Sequence, residues 1–162
     1  MASSRAILLG LFLALPAAAQ EATPAPAPAP AAAPVSFSGA VSVIVHPEVK
    51  LDEATPAKIR KHYLKMAPVF PGGVKVATID FKDGSGLRNT FCEKVLGWST
   101  EEVERYWIER QYQVGDAVPE KLATDAEVIA WVAGHPGGIG FVHKEAVPAD
   151  GGGVKVVLTV EK

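Results

Sequence analysis

Apolar and polar positions change period several times along this chain, and the changes mark its elements. Ala40 to Val45 is an apolar, β-branched run ending at His46-Pro47, which predicts a strand. Thr55-Pro56 reads as an N-cap followed by proline at N1, and Ile59, Tyr63 and Met66 then recur at helical spacing. Pro68, Pro71, Gly72 and Gly73 end that pattern. Val74 to Phe81 predicts a second strand, which runs into Asp83-Gly84-Ser85-Gly86. Asp83 suits an N-cap there, and the spacing predicts a helix from about Leu87 to Leu96, stopped by Gly97. Ser99 and Glu102 make a capping box for a helix whose inner stripe is Val103, Tyr106, Trp107 and the stem of Arg110. Gln111 to Leu122 predicts a loop. Thr124 and Glu127 form a second capping box, with Val128, Trp131 and Val132 facing inward and Gly134 as the stop. Ile139 to His143 predicts a short strand. Val154, Val156, Leu158 and Val160 alternate with polar residues, the pattern of a half-exposed strand.

Strands separated by helices predict an α/β fold: a mostly parallel sheet of about four to five strands with helices on both faces. Ligands of such sheets bind outside the carboxyl ends of strands, where the Gly84–Gly86 turn falls. The first N–H groups of a helix lack internal partners and carry the positive end of its dipole. Glycine lets backbone approach a ligand, Ser85 adds a hydroxyl donor, and Arg88, one turn in, adds a guanidinium fork suited to phosphate or carboxylate. Gly84, Ser85, Gly86 and Arg88 are therefore the candidate anion-binding residues.

The N-terminal residues change the domain picture. Arg5, an apolar run from Ala6 to Leu15, Pro16 and Ala17-Ala18-Ala19 match a secretory signal cut after Ala19. The run is shorter than the ~20 apolar residues of a spanning helix, so no membrane span is expected after cleavage. Residues 20–37 follow as an alanine–proline spacer, which favours polyproline II and cannot bury a core. The expected domain is residues 38–162, enough for one core without staples. With Arg5 removed, 15 of the 16 Lys and Arg face 18 Asp and Glu, a net charge of −3 against −2 for the whole chain. That balance excludes a nucleic-acid surface. Cys92 is the single cysteine, so no internal disulfide forms, and its apolar neighbours Phe91, Val95 and Leu96 suit burial.

Catalytic patterns are missing. Ser85 is not in a G-x-S-x-G elbow, and no histidine is placed by sequence to activate it. His46, His62, His135 and His143 show no metal-ligand spacing, and Asp80 and Asp83 lack the alternating oxygen ligands of a calcium loop. A non-enzyme without cofactor or metal is expected. Glu101, Glu102, Glu104 and Glu109 read as a solvated helix face, and Lys58, Arg60, Lys61 and Lys65 as a basic one. Trp98, Trp107 and Trp131 read as core or half-buried packing residues; the alternative for Trp98, in a corner between helices, is contact with a protein partner.

The ordered set Val-His-Pro, "RKHYLK", strand–"DGSG"–helix, "VLGWS", "ERYW" and "HPGGIGFV" resembles the phosphate-binding proteins of bacterial ABC importers, in the type 2 periplasmic-binding-protein superfamily. It resembles most the short secreted relatives that keep one lobe, over roughly Val41 to Val142. The resemblance implies a Gly-Ser-Gly-Thr helix start that wraps one face of phosphate, and Gly84, Ser85 and Gly86 stand in those places. Leu87 replaces the threonine, and Phe81 stands where an arginine is frequent. Lys65 and Met66 replace a glycine–lysine pair at the end of the first helix. The family's clamshell needs a second lobe, so an open half-site implies weak binding, about millimolar or ~4 kcal/mol. The resulting expectation is a periplasmic or secreted, non-catalytic phosphate or oxyanion binder, linked to transport or sensing. The other reading is an interaction module that keeps the lobe without the ligand, working through a protein partner or self-association.

Overall fold

A computed structural model describes residues 39–162 except 53, 83 and 85. The expected signal and spacer, Asp83 and Ser85 lie outside the described residues. The elements are β1 (Ala40–Val45), α1 (Pro56–Tyr63), β2 (Ala77–Phe81), α2 (Gly86–Phe91) continuing into a π-helical turn (Cys92–Leu96), and α3 (Thr100–Val114). Then come β3 (Glu120–Leu122), α4 (Asp125–Gly134), β4 (Gly138–His143), a 3-10 turn (Lys144–Ala146) and β5 (Lys155–Glu161).

Local chemistry fixes most boundaries. The Thr55 hydroxyl accepts from Lys58 N at 3.4 Å, and Pro56 supplies the helical φ of α1. Both capping boxes form: Ser99 with Glu102 on α3, and Thr124 with Glu127 on α4. Gly97 and Gly115 take the left-handed conformation that ends a helix. Cys92, the first residue of the π-helical turn, is buried in the core.

The strands form one sheet in the order β3-β2-β4-β1-β5. β2 runs parallel to β3 and β4, whereas β1 runs antiparallel to β4 and β5, so the sheet is mixed where a mostly parallel one was expected. The link from α1 to β2 explains this. It is a hairpin closed by a Val69–Lys75 bridge, long enough to bring β2 in against the direction of β1. Helices cover both faces. Gly140 of β4 faces Val128 and Val132 of α4. Its neighbour Phe141 points to the opposite face, where it stacks on Phe91 of α2 at 4.0 Å between centroids.

Four boundaries differ from the sequence expectation. Met66 lies beyond α1, on the hairpin, and is exposed. β2 starts at Ala77, because Val74 to Val76 belong to the hairpin arm. α3 continues to Val114, and β3 forms inside the expected loop by pairing with β2. In β5 the alternation slips: Leu158 pairs with Val43 but Val156 pairs with Ile44, so a bulge turns Val157 inward and leaves Val156 outside.

Lys65 is the one described non-glycine residue with positive φ, at 52°. It holds the place after α1 where glycine is easiest, and a β-carbon there costs about 1–2 kcal/mol. Lys65→Gly is expected to raise the urea midpoint by the equivalent of about 1 kcal/mol, offset in part by a looser unfolded chain. A drop larger than that offset would show that the lysine side chain, over the Trp107 ring at 5.8 Å, outweighs the backbone strain.

Candidate functional site

β2 delivers Asp80 and Phe81 to the carboxyl end of the parallel part of the sheet, in register with Lys121 and Leu122 of β3. Asp80 is 4% exposed and Arg88, on α2, is 2% exposed. Arg88 Nε donates to both Asp80 oxygens, at 3.0 and 3.2 Å, and Nη2 donates to Oδ2 at 2.9 Å. The Phe81 N–H donates to Asp80 Oδ1 at 2.8 Å, so the carboxylate is held by backbone as well. Such charge-assisted, bidentate contacts are the strongest hydrogen bonds a side chain makes. Arg88 Nη1 lies 3.7 Å from Glu104 Oε1 on α3, and Lys121 Nζ donates to that same oxygen at 2.6 Å. An alternating series of charges, Asp80–Arg88–Glu104–Lys121, therefore ties β2, α2, α3 and β3 together.

A cavity of about 380 Å³ opens against this series, lined by Gly84, Arg88, Asn89, Thr100, Glu101 and Glu104. It lies between the first turns of α2 and α3. Gly84 is exposed with φ +81°, and no atom stands within 4 Å of where a β-carbon would go. Gly86 is the first residue of α2. Of the four candidate anion ligands, the fold brings Gly84 and Arg88 to one cavity and places Gly86 at the helix start beside it. Ser85 lies outside the described residues.

The electrostatics of the cavity are mixed. Arg88 supplies a guanidinium, and Asn89 and Thr100 can donate to an oxyanion. Glu101 and Glu104 oppose it. The Glu101 carboxyl is held below its ordinary value of 4.5, chiefly by its own backbone N–H and then by the Ser99 and Thr100 side chains, so it is charged at neutral pH. Glu101 thus places an anion of the protein's own at the N-terminus of α3. A foreign anion is left the α2 side of the cavity, with Gly84, Gly86 and Arg88.

Sequence reading missed Asn89, Thr100, Glu101 and Glu104 as lining residues. The capping box at Ser99 was the available signal, since it fixes where a helix begins and which residues crowd its first turn. Trp98 is half-buried, with the Arg60 guanidinium 4.3 Å above its ring and Tyr106 packed beside it.

Tyr63 of α1 packs beneath the pair and donates to the Ile79 carbonyl at 3.2 Å. Burial pushes its phenol well above the ordinary 10.0, and the Asp80 carboxylate pushes the same way. The unfolded tyrosine ionises first as pH rises. Its contribution to stability is therefore complete below pH 10 and is lost as pH climbs through the folded value. Above pH 10 the wild type is expected to lose stability faster than Tyr63→Phe, by up to ~1.4 kcal/mol per pH unit in urea unfolding. Parallel pH curves for the two proteins would contradict this account of Tyr63.

The histidines do not converge. His62 Nδ1 contacts the Ala67 carbonyl, His135 stacks on Trp131, and His143 Nδ1 lies 2.8 Å from Asp125 Oδ2. Among the described residues, no group of three or more His, Cys, Asp or Glu is placed to hold a metal. No helix among them is long and apolar enough to cross a membrane.

No protein-family model matches this sequence, and no curated protein does. Solved structures match its fold. A Vibrio cholerae ABC-type phosphate transport receptor superposes with a TM-score of 0.54 at 15% identity, over 75% of this chain and 47% of that one. PstS from Borrelia burgdorferi gives 0.55 at 14% identity, over 73% and 46%. A Clostridium perfringens protein named as a phosphate ABC transporter substrate-binding protein, with phosphate bound, gives 0.52 at 18% identity, over 72% and 43%. The chain thus shares its α/β fold with part of these three structures. It spans less than half the length of these structures.

Proposed function

We propose that this protein is a secreted, non-catalytic solute-binding lobe that takes phosphate or a similar small oxyanion at Gly84, Ser85, Gly86 and Arg88. The observation that carries the reading is the cavity at the carboxyl end of β2, where Arg88 lines the wall and Asp80 fixes its guanidinium. A fixed cation loses little freedom when an anion arrives, which favours binding. The fold shared with proteins named for phosphate transport supports the same reading. The Arg5–Ala19 pattern and the 20–37 spacer support export to the periplasm and a role in transport or sensing, with 38–162 as the working domain.

Binding is expected to be weak, about millimolar, because Glu101 and Glu104 share the cavity. Phosphorus NMR line widths against protein concentration rank the affinity. Glu101→Gln removes a carboxylate and is expected to tighten binding about threefold, from ~0.6 kcal/mol of repulsion at ~7 Å in water. Asn89→Asp adds a carboxylate at an exposed lining position and is expected to weaken binding by a similar factor. Equal affinities in all three proteins would remove the cavity from the account.

Glu101 and Glu104 favour a second reading, an interaction module whose cavity no longer receives an anion. In that case neither the wild type nor Glu101→Gln broadens the phosphate signal at tens of millimolar.

A further inference from the structure

Met66, 52% exposed, and Val69, 44% exposed, stand on the hairpin between α1 and β2. Pro68, Pro71, Gly72 and Gly73 share that exposed tip. Its backbone is largely self-satisfied. Ala67 N donates to the Lys61 carbonyl at 2.9 Å, Phe70 N to Val74 at 2.8 Å, Gly73 N to Phe70 at 3.0 Å, and Val76 N to Pro68 at 2.9 Å. The two prolines bring no N–H at all. Such a tip leaves water with few stranded donors. It is anchored by Phe70, which is buried and packs against the His62 ring at 4.6 Å between centroids, tilted by 35°.

The surroundings are basic. From Ala54 to Ile79 the chain carries five Lys and Arg and no Asp or Glu, in a protein of net charge −2. Three exposed lysines are tied to the hairpin. Lys75 sits opposite Val69 on one face, and Lys61 receives Ala67. The stem of Lys50 lies along the tip, its Cδ 3.4 Å from where a Gly72 β-carbon would stand. None of the three makes an ion pair with a described residue. Glu48 and Asp52 stand two residues either side of Lys50, and Asp52 is paired with Lys155.

We propose that this hairpin docks on an anionic phospholipid surface, with Met66 and Val69 entering the headgroup boundary and Lys50, Lys61 and Lys75 meeting lipid phosphates. The apolar tip and the basic rim match the two attractions that hold proteins at such a boundary. A lysine stem can lie along the apolar zone while its ammonium stays with the headgroups. A bilayer is favoured over an acidic protein because the two exposed apolar side chains and the exposed lysines share one short tip. A soft surface deforms around an exposed tip, whereas a folded partner must offer a matching hollow.

A polarity-sensitive dye on Val69→Cys of the full chain tests this, since the native Cys92 is buried and leaves the introduced thiol as the exposed one. The same dye on Tyr112→Cys, on α3 where Tyr112 is 85% exposed, controls for contact made elsewhere in the chain. With vesicles containing phosphatidylglycerol the dye at 69 is expected to shift to the blue and the dye at 112 to stay unchanged. High salt reverses the shift. Adding Lys61→Glu and Lys75→Glu lowers the apparent partition at least ~10-fold. No shift at 69 overturns the proposal and gives the surface to an acidic protein or to solvent. An equal shift with pure phosphatidylcholine, or one undiminished by the lysine reversals, overturns it as well.

Discussion

Asp80→Ala is expected to destabilise the protein by about 3–5 kcal/mol, because it leaves the Arg88 guanidinium buried without its main counter-charge. That is a large part of the ~5–15 kcal/mol available to a domain of this size. In urea the midpoint should fall by roughly 1.5–3 M. The replacement Asp80→Leu with Arg88→Leu is expected to lose less than Asp80→Leu alone, since the double change leaves no buried charge at either position. Equilibrium urea unfolding followed by circular dichroism measures both. A loss below about 1 kcal/mol for Asp80→Ala would mean that water reaches the pair and that the guanidinium is not fixed. The same physics makes Arg88→Ala a poor probe of ligand binding, because it strands Asp80 and disturbs the fold before any anion is added. Asn89 and Glu101, both exposed on the cavity wall, are the better handles.

Gly137→Ala is expected to cost about 3 kcal/mol or more. Gly137 has φ +79°, which a β-carbon resists, and that β-carbon would stand 2.0 Å from the Lys75 carbonyl oxygen and 2.9 Å from a Val74 methyl. The oxygen belongs to the backbone, so a rotamer change cannot relieve the contact. Gly137 also accepts from Ala77 N at 2.9 Å, and the next residue opens the β2–β4 ladder. A shift here would move the strand that carries Asp80. The expected result is a lower thermal midpoint, together with faster amide exchange along β2. An unchanged midpoint would mean that the hairpin arm is free to retreat from β4.

Local signals in the chain carry far, and they stop where contacts become distant. The burial of β1, proline at N1 of α1, both capping boxes and the glycine stop after Leu96 each rest on a few neighbouring residues. β3 is different. Glu120 to Leu122 has no strand pattern of its own and forms because β2 offers an open edge in register. The bulge at Val157 is likewise set by β1, so the regular alternation holds at Leu158 and Val160, which pack on the core, and fails at Val156 and Val157. The site shows the same limit. The Gly84–Gly86 turn was legible as a helix start at a strand end. The partner of Arg88 was not, because Asp80 sits eight residues back on a strand and reads there as one more polar position. Thr100, Glu101 and Glu104 reach the cavity only because α3 packs beside the end of α2, and in sequence the two glutamates read as a solvated helix face.

The central claim is that the turn between β2 and α2 receives an oxyanion. An amide-resolved NMR titration of the labelled protein with phosphate, at constant ionic strength, tests it most directly. The account expects saturable shifts at Gly84, Ser85, Gly86 and Leu87 with a midpoint of about a millimolar, while amides of β5 stay still. Those four amides unmoved at tens of millimolar phosphate, or shifting no more than the rest of the chain, would contradict it.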